Sequence, residues 1–168
     1  MNSPLRLDEY FFEDFSLKVT PSFDPKSRVG KRKDGKIHCK VEYGPAKLYP
    51  KRFRIAISIL VEPSKEPPAR DPYFINFRII GLFSFIDGVP KNIMDQMVRL
   101  NGTSILYGIA RGTVSSVAAI SQHGKYILQA LNFVQMFKSI EEGQQAKVAD
   151  DQKTVRGRPK KRAAAKRQ

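Results

Sequence analysis

His38, His123 and the single cysteine, Cys39, are the residues of this chain best suited to metal or nucleophile chemistry, and their spacing assembles no site. A zinc centre needs a set of N and S ligands, usually in close pairs, and neither an H-x-x-x-H nor a C-x-x-C pair occurs. Gly30 to Lys36 has the G-x-x-x-x-G-K spacing of a phosphate loop. Ile37, however, stands where a Ser or Thr would hold magnesium, and no strand-to-helix turn surrounds the motif. Glu141-Glu142 and Asp150-Asp151 lie in polar sequence, where solvated charge is the expected role rather than paired acid/base work. The chain therefore reads as a protein that is not an enzyme, with no metal and no cofactor.

Its 168 residues, 41% apolar and 27% charged, suit one globular domain with a core. Cys39 lies between Ile37 and Val41 in an alternating run and reads as a small buried hydrophobe. One cysteine makes no intrachain disulfide, which points to a reducing compartment. The start Met1-Asn-Ser-Pro lacks the basic and apolar regions of a secretion signal, and no window of ~18 uncharged apolar residues occurs. A cytoplasmic location without membrane insertion is expected. The net charge of +14 is uneven: residues 153–168 hold eight Lys or Arg and no acid, which leaves 22 basic against 16 acidic residues, or +6, in residues 1–152.

Strand periodicity organises the first half. Phe15, Leu17 and Val19 alternate after the cluster Tyr10, Phe11 and Phe12, which predicts a first strand over 7–20, closed by Pro21 and Pro25. An irregular stretch to Lys36, with Phe23 as its large apolar residue, reads as a crossing loop. Ile37, Cys39, Val41 and Tyr43 predict a second strand, and Phe53, Ile55, Ile57, Ile59 and Val61 a third. From Tyr73 to Ile86 runs a fourth strand, apolar on both faces beyond Ile79, so both of its faces should be covered. Four strands with turn-like connections suggest an antiparallel meander.

After Pro90 the period becomes helical. Ile93, Met94, Met97 and Val98 suggest a short turn, and Asn101 or Thr103 can cap a longer helix with Ile105, Leu106, Ile109, Thr113, Val117 and Ile120 as its apolar positions. The other face is small: Gly108, Gly112, Ser115, Ser116 and Ala119. Glycine inside a helix costs about 1 kcal/mol relative to Ala. Two at this spacing indicate either a weak helix or the close approach of another backbone, which would make Gly108, Gly112, Ser115 and Ala119 an oligomer interface. His123-Gly124 ends the helix, Lys125 to Leu131 reads as a linker, and Phe133, Met136, Phe137 and Ile140 mark a last helix. That stripe fits packing on its own sheet and fits equally an exposed groove for extended chains, with Phe23 as the opposite wall.

Four stretches in order resemble the SecB-type protein-export chaperones. They are Pro4-Leu-Arg-Leu-Asp-Glu-Tyr-Phe-Phe-Glu-Asp-Phe-Ser-Leu-Lys-Val, Gly81-Leu-Phe-Ser-Phe-Ile-Asp-Gly88, Ile105-Leu-Tyr-Gly-Ile-Ala-Arg111 and Leu131-Asn-Phe-Val-Gln-Met-Phe137. The resemblance covers about residues 4–142. It implies an α+β fold with a four-stranded antiparallel sheet, a long helix and a shorter C-terminal helix, assembled as a homotetramer with helices sandwiched between sheets. The implied domain is 1–142, followed by a disordered basic tail over 143–168. The implied function is an ATP-independent holdase for unfolded polypeptide clients, whose grooves map onto Phe23, Ile127, Leu128, Phe133, Met136 and Phe137. Export members dock a translocase ATPase on an acidic sheet surface, whereas this body is net basic. An antitoxin of a toxin–antitoxin pair is the alternative partner.

Within the tail, Arg156, Gly157, Arg158, Pro159, Lys160, Lys161 and Arg162 resemble an AT-hook, whose extended Arg-Gly-Arg-Pro core lies in the minor groove of A/T-rich DNA. A disordered solubilising tail, or one binding RNA non-specifically, fits the same composition. A nucleic-acid-binding protein whose globular part serves oligomerisation is therefore the other functional class.

Overall fold

The computed structural model describes residues 3–28, 36–48, 52–64, 69 and 71–141. Four strands form one antiparallel sheet: β1 (Leu5–Val19), β2 (Lys36–Pro45), β3 (Phe53–Glu62) and β4 (Tyr73–Phe85), in the order β1-β4-β3-β2. The expected meander holds for β2, β3 and β4 only. β1 crosses to pair with β4, because a strand apolar on both faces belongs inside the sheet with a neighbour on each side. The crossing loop is fixed by main-chain bonds to the β3–β4 link: Thr20 N–H to the Pro72 carbonyl (2.9 Å) and Ala69 N–H to the Ser22 carbonyl (3.0 Å).

β1 is longer than β4 and absorbs the difference in two register shifts, between Leu7 and Glu9 and between Phe12 and Asp14. A bulge re-aims the side chains beyond it. With both shifts counted, Leu7, Phe12, Phe15, Leu17 and Val19 stand opposite Phe83, Ile79, Phe77, Ile75 and Tyr73. Phe12, Phe15 and Phe77 accordingly form one ring cluster, with centroids 5.3–6.2 Å apart.

Beyond β4, α1 (Lys91–Met97) passes through a single π turn, Val98–Gly102, into α2 (Thr103–Ala119) without a break. Neither Asn101 nor Thr103 is a cap: Gly102 and Thr103 both have right-handed helical backbone, and no side chain caps the start of α2. The π turn brings Gly102 onto the sheet, where a Cβ would stand 2.5 Å from Ile55 Cδ1. Gly81 of β4 faces Leu106 in the same way, with its Cβ position 3.0 Å from Leu106 Cδ1.

That approach selects the buried side of α2: Thr103, Leu106, Tyr107, Ala110, Val114 and Ala118. Of the expected apolar positions, only Leu106 belongs to it; Ile105 is exposed and Ile120 is 89% exposed. The helix is apolar or small almost all round, so periodicity alone could not tell which side meets the sheet. Cys39, expected to be buried, is half-buried on edge strand β2, and its partial burial still pushes the thiol up to about 11. It is protonated and unreactive at neutral pH.

The contacts divide the chain into Met1–Ala130 and Leu131–Gln168. In the second unit the described structure is a helix over 133–141. Residues 143–168 of the expected tail, with the AT-hook-like Arg156 to Arg162, lie outside the described residues.

Gly102→Ala tests the contact that sets this arrangement. Ala is the better helix former by up to about 1 kcal/mol, but its Cβ would force the tip of the wholly buried Ile55 side chain to shift, and overpacking of this kind costs ~1–3 kcal/mol. A lower midpoint in thermal or urea unfolding is expected. Ile55→Val removes the offending Cδ1, so the double variant should recover part of that loss; additive losses would show that the contact is not the constraint.

Candidate functional site

The residues singled out for client binding fall in three segments. Phe23 opens the crossing loop, Ile127 and Leu128 lie in the irregular stretch after α2, and Phe133, Met136 and Phe137 lie on the helix over 133–141.

In the first unit an aromatic cluster joins two of these segments. The Phe23 ring meets His123 at 4.6 Å, and Tyr73 lies 6.1 Å from His123 and 6.0 Å from Tyr126. Tyr73 is fully buried, and its hydroxyl is the anchor of the turn. It donates to the Gly124 carbonyl at 2.8 Å and accepts from the His123 N–H at 3.1 Å. Gly124 has φ of +74°, a left-handed conformation that L side chains rarely adopt, and its position there reverses the chain after the helix. In the sequence His123 stands out as a candidate metal ligand and as a helix stop. Its tilted ring contact with Phe23 left no signal in the residue pattern.

The stretch after Gly124 belongs to no helix or sheet, so its carbonyls need other partners. Two come from α2. Tyr107 donates its hydroxyl to the Gln129 carbonyl at 2.5 Å, and Arg111 donates Nε–H to the Leu128 carbonyl at 3.0 Å. Burial pushes the Tyr107 hydroxyl up to about 12, the Arg111 charge opposing that rise only in part. These bonds tether the segment to α2, and neighbouring side chains along it differ sharply in burial. Leu128 is fully buried, whereas Ile127 presents 55% of its surface to solvent. Ile127 offers an exposed apolar contact and Leu128 fixes the backbone beneath it.

In the second unit, Asn132 caps the helix, its side-chain oxygen accepting from the Gln135 N–H at 3.0 Å. Phe133 and Phe137, one turn apart, are buried; Met136 is half-buried; Val134 and Ile140 are exposed.

On α2, the small positions lie on the open side. A Cβ at Gly108 or Gly112 would meet no atom within 4 Å, and Ala119 is also exposed, with Ser115 half-buried. Ile105 and Ile120 extend this surface at either end of the helix. Among the described residues no group of His, Cys, Asp and Glu could hold a metal ion, and no helix is long and apolar enough to cross a membrane.

Tyr107→Phe should therefore loosen the 124–130 stretch, with faster amide exchange there and a loss of about 1 kcal/mol in stability. The pH dependence has a definite sign. With its pKa raised in the fold, Tyr107 contributes stability that is complete below the unfolded value near 10 and is lost as pH rises towards about 12. The variant should show a shallower fall in unfolding midpoint across that alkaline window than the unaltered chain.

Comparison with known proteins completes the description. A family model described as "SecB: Preprotein translocase subunit SecB" matches residues 1–145. No curated protein matches the chain in sequence. Among solved structures, the fold is similar to a Mycobacterium tuberculosis SecB-like chaperone in complex with a ChAD peptide from the HigA1 antitoxin, at 13% identity and a TM-score of 0.54, covering 77% of this chain and 91% of that one. A Streptococcus agalactiae protein of unknown function overlaps at 10% identity and a TM-score of 0.40, covering 75% of this chain and 97% of its own.

Proposed function

The chain belongs to the SecB family, whose members are chaperones rather than enzymes, and from that premise we propose that it is an ATP-independent holdase acting in the cytoplasm on non-native polypeptides. The observation that carries this reading is the family match over residues 1–145. Clients would bind as extended segments, through burial of apolar side chains and contacts to their backbone. Phe23, Ile127 and Leu128 of the first unit and Phe133, Met136 and Phe137 of the second are the residues proposed to contact clients, with Ile127 and Met136 supplying accessible apolar area in their respective units.

Two kinds of partner suit such a holdase. The family description names a preprotein translocase, and the M. tuberculosis SecB-like chaperone carries an antitoxin peptide. The +6 balance of residues 1–152 favours an antitoxin or a similar client over an acidic docking surface for a translocase ATPase. Assembly as a homotetramer would bury the open side of α2, and the bare Gly108 and Gly112 would let a second backbone approach across Ser115 and Ala119.

A second reading rests on the tail, with its eight basic residues, no acid and the AT-hook-like run from Arg156 to Arg162. It gives the protein a nucleic-acid partner, DNA or RNA, while the folded part oligomerises.

Three measurements separate these readings. Ile127→Ser combined with Met136→Gln changes accessible side chains, so the protein should stay folded while the concentration needed to suppress aggregation of a model client rises about threefold to tenfold. Unchanged suppression removes these residues from the client surface. Gly112→Leu should give smaller species by light scattering with secondary structure intact, and an unchanged assembly would place the interface elsewhere. Ending the chain at Asp151 should leave holdase activity intact and abolish any steep salt dependence of DNA binding, each neutralised phosphate adding ~0.9 to the log–log slope. Undiminished DNA binding by the shortened chain would overturn the tail reading.

A further inference from the structure

The face of the sheet turned away from α2 carries an open cavity of about 530 Å³. Phe11 of β1 and Ile80 and Leu82 of β4 line it, together with the β2–β3 hairpin from Tyr43 to Leu48. Ile80 and Leu82 are only 3% and 5% exposed, although α2 packs against the opposite face. The volume lies within the ~300–1,000 Å³ of ordinary small-molecule sites.

Most ionic groups around this well are already paired. Beyond one end Asp8 accepts from the Ser84 hydroxyl at 2.8 Å and faces Arg52 at 3.4 Å. At the other, Glu42 itself lines the cavity and is held by Arg78 at 2.8 Å and Lys40 at 2.9 Å, while Arg78 also holds Glu13 at 2.7 Å. Arg54 is different. It lines the cavity half-buried, and its side chain has no hydrogen bond or ion pair among the described residues. Glu9 also lines the cavity, across Leu82 from Arg54 in register and with no ion pair between them among the described residues; it is exposed, so water screens its charge. Lys47 on the exposed rim adds positive charge.

A partly desolvated guanidinium beside an apolar floor gains from a planar anion that it can grip with two N–H groups. A peptide strand would have less to hold. The backbone groups of β1, β4 and β3 beneath the cavity are engaged in the sheet ladders, and the polar contacts on offer are side chains. We propose that this cavity binds a small amphiphilic carboxylate, its hydrocarbon seated on Phe11, Ile80 and Leu82 and its carboxylate on Arg54. The site lies outside the residues proposed for clients and does not depend on the holdase reading.

Calorimetric titration of the full-length protein with octanoate, well below its micelle concentration, is expected to give one saturable site per chain. Octanol, of equal length without the charge, should bind about tenfold more weakly or worse. Arg54→Met keeps an apolar stem and removes the guanidinium, so octanoate should fall to the octanol level with the circular dichroism unchanged. Equal binding of octanoate and octanol to the unaltered protein overturns the proposal, and that comparison needs no variant to fold. Undiminished octanoate binding by Arg54→Met overturns it too, as does displacement of octanoate by a short peptide with an apolar C-terminal residue at lower concentration than octanoate itself.

Discussion

The contact between Gly102 and the side chains of Ile55 and Phe83 decides how everything above the sheet is arranged. A helix normally stands off a sheet by the depth of its own side chains. Here the π turn presents a residue with none, and the backbone comes down onto a wholly buried isoleucine. With that point fixed, the helical rotation puts Leu106 over Gly81 and sends Ala110, Val114 and Ala118 along the same line. The same rotation aims Tyr107 and Arg111 at the carbonyls of Gln129 and Leu128. What remains on the open side of α2 is whatever the sequence placed there: two glycines, Ser115, Ala119 and two exposed isoleucines.

Beneath the sheet the organising residue is Arg78. It extends from β4 to Glu13 of β1 on one side and to Glu42 of β2 on the other, with Ser58 of β3 accepting a further bond at 2.9 Å. One guanidinium thus ties all four strands together. Hydrogen bonds from Arg78 first and Lys40 second hold the Glu42 carboxyl down to about 2. The support from Glu42 is therefore complete above its unfolded value near 4.5 and fades as pH falls through about 2. Because the group is more than a third exposed, the net stabilisation is small.

The strands were legible in the sequence because period-two alternation is a direct image of the pleat: β3 and β4 lie where Phe53 to Val61 and Tyr73 to Ile86 placed them, within a residue or two. β1 was legible only in part. The residues it places on the α2 face of the sheet by register run Leu5, Leu7, Tyr10, Phe12, Phe15, Leu17, Val19, and the two three-residue steps in that series are the bulges. In the sequence they show only as the aromatic cluster Tyr10, Phe11 and Phe12 interrupting the alternation. The helix failed for another reason. With Ile105, Leu106, Tyr107, Ile109 and Ala110 in succession, several faces are apolar, and the choice among them is made by Ile55 and Gly81, far away in the chain. The proposed client residues rest on family resemblance, while the tethering by Tyr73, Tyr107 and Arg111 and the tilted ring contact of His123 with Phe23 are tertiary and carry no periodic mark.

The sheet order also dictates a sequence of events during synthesis. β2, β3 and β4 pair with chain neighbours and can form as they emerge, but the partner of β1 is β4, and both intervening strands must be made first. At about 5–20 residues per second that is a wait of roughly 3–10 s. Throughout it the nascent chain carries Tyr10, Phe11, Phe12 and Phe15 on an unpaired strand, the kind of segment that other chains can capture by edge-to-edge pairing. Asp8, Glu9, Glu13 and Asp14 are interspersed among those rings. Before the sheet closes, this run of negative charge serves as a gatekeeper against association between neighbouring ribosomes' products.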